Sequence, residues 1–325
     1  MGAKQRTGND TNTSNRYFFG ATSELKDLIA LRQVASSIGY QKKNRANSQM
    51  AGLLSSSIKG KGMDFEEVRS YQPGDDVRNI DWKVTARTLN PHTKVFTEEK
   101  ERPVFLIVDQ SASMFFGSKI TFKSVVAARI ASIFAWSAHE QGDKVGGLIY
   151  SDVSHKTVRA KRGVKTVLSF LNHLNELNNG LASKREREPL VGKEARMVEV
   201  LRLARTTIKE QTSILLIGDF LNLDDTGLIE IRSLARRNQI LAVHVFDPIE
   251  AQAPRPNLYS ITDGFKRIRI NTSDKEFAKN YSKHYENKLK KIHSIFSEIN
   301  SPLISISTGE SIETVLFNHK LANLK

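Results

Sequence analysis

Asp109, Ser111 and Ser113 set one carboxylate and two hydroxyls at alternate positions, directly after the apolar run Val-Phe-Leu-Ile-Val at residues 104–108. Three hard oxygen donors suit a hard cation such as Mg²⁺ or Mn²⁺, which takes a few protein oxygens and keeps water on its remaining positions. A second apolar run, residues 214–217, breaks in the same way into Gly218 and Asp219. If the two runs lie side by side, Asp219 stands next to Asp109, and a cation between them offsets a repulsion that otherwise raises one carboxyl pKa. A metal-free reading stays open, in which residues 109–113 form a helix-capping loop and Asp219 is a turn or cap residue.

The elements needed to position these groups are legible. Residues 104–108 are apolar on both faces, as a central parallel strand covered by helices must be. Ligands of open α/β sheets gather beyond the carboxyl ends of such strands, which is where Asp109 and Asp219 fall. Further strands are expected at 145–150, at 240–246 with its exit at Asp247-Pro248, and at 303–306, with a more polar edge strand at 156–160. Helical spacing is expected at 120–141 with Gly142 as the stop, at 164–177 with Leu168, Leu171 and Leu174 facing inward, and at 193–209. More helices follow at 227–237 behind Asp224 and Asp225, at 274–299 and at 311–321, and 259–270 suggests a hairpin around Asp263-Gly264. Strands alternating with helices predict a doubly wound, mostly parallel α/β sheet, preceded by an N-terminal extension of short strands and helix.

The chain divides into four stretches. Residues 1–20, polar and without periodicity, read as a disordered leader. Residues 21–62 hold an amphipathic helix, with Ser23 as its cap and Gly39 as its stop, and a basic linker. Residues 63–100 form a densely charged segment packing on the main domain, which spans 101–325. In that segment Gln72-Pro73-Gly74-Asp75 has Pro and Gly at the central positions of a type II turn that presents Asp75 and Asp76. Asp81 is placed to cap a short helix through Trp82, Val84 and Arg87. Two readings stand for Asp75, Asp76, Arg78, Asp81, Trp82 and Arg87. One is a network of ion pairs, Arg69, Arg78 and Arg87 against Asp76, Asp81, Glu98 and Glu99, around a buried Trp82. The other is a surface that binds a partner.

The string G-x-D-F-E-E-V-R-x-Y-Q-P-G-D-D-V-R-x-I-D-W-K-V-T-A-R over residues 62–87, followed by D-x-S-x-S-M, resembles the prokaryotic family catalogued as domain of unknown function 58. Asp109, Ser111 and Ser113 resemble the metal-ion-dependent adhesion site of von Willebrand factor A domains, and Asp219 matches its second aspartate. The resemblance covers the chain from about residue 60 onward. It implies a von Willebrand factor A-like domain with a small antiparallel edge, and a MoxR-type AAA+ ATPase as partner, with this chain as its adaptor in chaperone-like remodelling. It also implies a metal-binding threonine, yet no threonine occurs between Val167 and Leu203. Ser183 or Glu194 would then supply the oxygen, or the site is weak or vestigial.

Composition narrows the rest. A chain of 325 residues with 39% hydrophobic content supports a proper core. The absence of cysteine excludes disulfides, Cys-based zinc sites and thiol catalysis. No run approaches the roughly 18 apolar residues of a membrane span, and the N-terminus lacks a signal-peptide core, so the cytoplasm is the expected compartment. A net charge of +14 attracts nucleic acid, a membrane surface or an acidic protein, and no nucleic-acid module is recognisable. There is no nucleotide-binding G-x-x-x-x-G-K-[ST], no H-E-x-x-H and no G-x-S-x-G. An aspartyl-phosphate reading with Asp109 as nucleophile lacks the neighbouring acids that would place its Mg²⁺. The expectation is therefore a non-enzymatic interaction module that binds its partner through a divalent cation. A metal-independent scaffold using the 64–99 surface and a Mg²⁺-dependent phosphohydrolase are the alternatives.

Overall fold

The computed structural model describes residues 20–43, 63–98, 103–182, 196–220, 223–262 and 267–312. Its centre is β3 (Val104–Asp109), every residue of which is buried. On one side β3 pairs in parallel with β4 (Val145–Tyr150), which pairs antiparallel with β5 (His155–Lys161). On the other side it pairs in parallel with β6 (Ser213–Gly218), then β7 (Gln239–Phe246) and β10 (Leu303–Ser307). The order β10-β7-β6-β3-β4-β5 reverses direction at β3, so the mouth between β3 and β6 is a switch point. This is the doubly wound, mostly parallel sheet expected, with the antiparallel edge that the von Willebrand factor A resemblance implied.

Alternation along β3 feeds two layers of core. Val104, Leu106 and Val108 pack under α1 (Leu25–Lys43), α3 (Lys123–Glu140) and α4 (Val164–Gly180). Phe105 and Ile107 pack under α5 (Arg196–Thr207), α6 (Asp225–Ala235) and α8 (Lys275–Glu298). Residues 123–138 of α3 are all buried, because this helix is covered by the sheet on one side and by α1 and α4 on the others. A hairpin, β8 (Leu258–Thr262) with β9 (Arg267–Asn271), stands apart from the sheet, and its expected turn at Asp263-Gly264 lies outside the described residues.

Several expectations need correction. Gly39 does not stop α1, which continues to Lys43. Ser23 is engaged elsewhere: its amide donates to Asn178 Oδ1 at 2.7 Å and its hydroxyl to Asn175 Oδ1 at 3.4 Å. The helix itself is part of the main core, with Leu28 and Leu31 fully buried and the Trp136 indole N–H donating to the Leu28 carbonyl at 3.2 Å. Burying a leucine side chain contributes about 1.5–3 kcal/mol, so this helix is held by packing rather than by propensity. Leu168, expected inward, lies half-exposed on the outer side of α4, whereas Leu171 and Leu174 are buried.

The charged segment folds as a small unit. β1 (Met63–Ser70) pairs antiparallel with β2 (His92–Glu98), and between them lie a 3₁₀ turn at Val77–Asn79 and α2 (Trp82–Thr88). Gly74 takes φ +108° and Asp75 N donates to Gln72 O at 3.0 Å, as the Pro-Gly turn requires. Among the described residues, the hydrogen bonds of this unit run within it. Residues 1–19 of the leader and the linker at residues 44–62 lie outside the described residues, as do Ser183, Glu194 and all of the last helix beyond Ile312.

Candidate cation site at the mouth of the sheet

Asp109 is the last residue of β3, and its Oδ1 accepts from the Ser111 amide at 2.8 Å. That bond turns the chain into a 3₁₀ turn, Ala112–Met114, anchored by buried Met114. The turn brings the Ser111 and Ser113 hydroxyl oxygens to 3.1 Å from each other. From the neighbouring strand, Gly218 allows close approach, since a Cβ there would lie 3.1 Å from Asp109 Cβ and 3.3 Å from its Oδ2. Asp219 follows at the end of β6 and is buried. Phe220 then takes a left-handed φ of 52°, a strained conformation for a non-glycine residue, held by its packing on Phe296 and His244. The four oxygen-bearing residues singled out in the sequence are therefore brought together.

Electrostatics at this mouth is unusual. Burial first, and then the Asp219 charge, raise the Asp109 carboxyl to about 7, against hydrogen bonds from Ser111 and the Tyr150 phenol. Burial, reinforced by Asp109, holds the Tyr150 phenol well above its ordinary value, so it stays protonated and donates. Asp152, in the loop after β4, accepts from the Ala112 amide at 2.6 Å, and its carboxyl is raised chiefly by burial.

Asp219 meets a different fate. Lys123, the first residue of α3, is fully buried and places its Nζ 3.0 Å from Asp219 Oδ2 and 2.7 Å from Glu250 Oε1. Burial opposes the charged lysine, but Asp219 and Glu250 outweigh it and hold the ammonium above the ordinary lysine value. A cation at a helix N-terminus faces the positive end of the helix dipole, so these two carboxylates must hold it there. Glu250 is fixed in turn by a capping box on the short helix α7 (Pro248–Ala251), where its Oε2 accepts from the Asp247 amide at 2.9 Å. Asp247 ties the neighbouring segment down: its carboxylate accepts from Ser118 N at 2.8 Å, Ser118 Oγ at 2.5 Å and Thr308 Oγ1 at 2.6 Å. Burial pushes the Asp247 carboxyl up, but those bonds prevail and lower it. His244, behind Phe220, is pushed down to about 4 by burial and is a neutral ring stacked between Phe220 and Phe246.

Lys123, Glu250, Asp152, Tyr150 and Asp247 were not singled out from the sequence as site residues. A lysine at the head of an otherwise apolar helical pattern was the one available signal. The donor chemistry of Asp109, Ser111, Ser113 and Asp219 fits a hard divalent ion. Among the described residues no group of three or more His, Asp or Glu side chains converges as metal ligands, so the hydroxyls would be indispensable.

The six residues of the charged segment sit in their own unit. Asp75 pairs with Arg69 at 2.8 Å, Asp76 with Arg78 at 3.0 Å, and Asp81 with Lys94 at 3.3 Å while capping α2 through Lys83 N and Val84 N. Of the expected network the Arg78–Asp76 pair forms, whereas Arg69 takes Asp75 and Asp81 takes Lys94, two partners outside that network; the Glu98 side chain and Glu99 lie outside the described residues. Arg87 is exposed. Trp82 is not buried, being 69% exposed, because α2 presents it outward at its first position.

Residues 67–291 match the family model described as "Protein of unknown function DUF58". The uncharacterized protein Rv1480 of Mycobacterium tuberculosis is 31% identical over 235 residues, covering 72% of this chain and 70% of that protein. The uncharacterized protein YeaD of Bacillus subtilis is 28% identical over 110 residues, 34% of this chain and 27% of its own. Among solved structures, BatB from Bacteroides thetaiotaomicron is similar at 15% identity and a TM-score of 0.40, over 69% of this chain and 98% of that one. With two-thirds of its length matched by one family model, including both the charged unit and the mouth of the sheet, the chain belongs to the family of proteins of unknown function DUF58.

Proposed function

We propose that this chain is a non-enzymatic protein-interaction module that engages its partner at the mouth of the sheet through a divalent cation, Mg²⁺ or Mn²⁺. Ser111 and Ser113 would bind the ion directly, and Asp109 and Asp219 directly or through water. The observation that supports this reading is the juxtaposition of two buried carboxylates and two neighbouring hydroxyls at the switch point between β3 and β6. When bound, the ion supplies a Lewis-acidic position for an acidic side chain of the partner. The chain's own residues hold the geometry: Asp247 pins the 118 region, and Lys123 fixes one oxygen of Asp219. The proposed partner is a MoxR-type AAA+ ATPase, with this chain as its adaptor in remodelling or complex assembly, which rests on the family context alone.

Titration calorimetry with Mg²⁺ and Mn²⁺ at physiological ionic strength tests the site. Wild type should bind and Asp109→Ala should not, and a pull-down with ATP and Mg²⁺ should recover the ATPase with wild type alone. Equal recovery by both proteins would transfer the interaction to the charged unit. That second reading, a metal-independent scaffold acting through residues 64–99, is favoured by the exposure of three large apolar side chains in this unit, Val77, Trp82 and Leu89. Under it, Trp82→Ala abolishes recovery.

A further inference from the structure

Gln110 lies between Asp109 and Ser111, yet it points away from the mouth into the interior and is fully buried. Its Nε2 donates to the Ser124 carbonyl, in the first turn of α3, at 3.0 Å. Its Oε1 accepts from Asn178 Nδ2 at 2.9 Å, and Asn178, also fully buried, accepts the Ser23 amide on its Oδ1 at 2.7 Å. A continuous buried relay therefore runs from the N-terminal segment, through α4, to the loop that carries Asp109, Ser111 and Ser113. It joins residues 155 and 68 positions apart in sequence.

Two further contacts hold the same segment. Gly20 pairs with Thr121 in a parallel bridge, and Thr121 Oγ1 donates to the Gly20 carbonyl at 3.3 Å, just before Lys123. Farther along, Leu28, Leu31 and Ala35 are buried against α3, and Arg32 stacks 5.3 Å over Trp136 while pairing with Glu140 at 2.7 Å. The opposite face of the segment, with Lys26, Ile29, Gln33 and Ser36, is exposed. It is thus a surface element fastened along one side, and a buried amide stripped of its partner carries a desolvation penalty.

We propose that residues 20–36 form a strap latched to the Asp109–Ser113 loop through Ser23, Asn178 and Gln110, so that release of the strap and loosening of the loop are one event. Removing the strap deprives Asn178 Oδ1 of its donor, and the buried side chain to which Asn178 is already bonded is Gln110, the one that fixes the loop. The inference needs no metal and stands whether or not the cation reading does.

Amide hydrogen exchange tests it without divalent ions. Leu28→Ala loosens the strap while leaving all three residues of the relay, Ser23, Asn178 and Gln110, in place. Protection of the α1 amides should fall at least tenfold, and that of Gln110, Met114 and Lys123 should fall with it. These three amides are bonded at 2.7, 3.0 and 2.8 Å and so report the loop directly. Amides of β7 should not change. In an Asn178→Ala background, the same Leu28→Ala change should loosen the strap and no longer reach Met114. Loosening of α1 with unchanged loop protection overturns the proposal. Equal loss across β7 also overturns it, since the strap would then not be a separate element.

Discussion

Replacing Lys123 by methionine should destabilise the protein by about 3–5 kcal/mol, the typical effect of removing one partner from a buried ion pair. Methionine matches the lysine stem in length, so the loss is electrostatic rather than a cavity. What is left behind is two carboxylates, Asp219 and Glu250, the first of them buried, that have lost the ammonium held at 3.0 and 2.7 Å. Denaturant unfolding of Lys123→Met, Glu250→Gln and the double variant checks the origin of the effect. The Glu250→Gln change keeps a side-chain oxygen for the capping box, so the double variant should be more stable than Lys123→Met alone. If it is less stable, the lysine acts through packing and not through charge.

Between about pH 4 and 7, the stability of Asp109→Asn should rise relative to wild type in buffer free of divalent ions. The Asp109 carboxyl titrates near its ordinary value of about 3.9 when unfolded and at about 7 when folded. Between those values the folded state binds more protons than the unfolded state, so wild-type stability contributed by this group falls as pH rises. His244 runs the other way: its folded value of about 4 lies below the ordinary one of about 6.5. Over that window the unfolded state binds more protons, and stability rises with pH. The two slopes offset each other in wild type. The Asp109→Asn change exposes the histidine slope, and His244→Gln exposes the opposite one, a fall from about pH 4 to 7. Urea midpoints across this range decide it, and superimposable curves for wild type and Asp109→Asn would show that Asp109 is not titrating there.

Much of this molecule follows from short-range patterns. The two-sided apolar runs ending in Asp109 and Asp219 fall at adjacent parallel strands, because burial on both faces leaves few other places for such runs. The Pro73-Gly74 turn and the Asp81 cap form as expected, since each depends on backbone dihedrals and on amides within three residues. The alternation of strands and helices sufficed for the doubly wound sheet.

The remaining features required the packed structure. The ion-pair reading placed Trp82 at the buried centre of its network, yet it lies exposed, and nothing local distinguishes an outward first-turn tryptophan from an inward one. Gly39, a frequent helix terminator, is carried through in a helix whose buried face docks on α3. Lys123 reads as an ordinary lysine in a helix, and only the convergence of Asp219 and Glu250, 96 and 127 residues away, turns it into the counter-charge of the site. The Ser23–Asn178–Gln110 relay is likewise set by which helices meet. Side-chain type and spacing brought out Asp109, Ser111, Ser113 and Asp219 as oxygens at the mouth of the sheet. Tertiary packing decided how they are neutralised and fastened, because a buried charge or amide takes the partner that folding brings within hydrogen-bond reach.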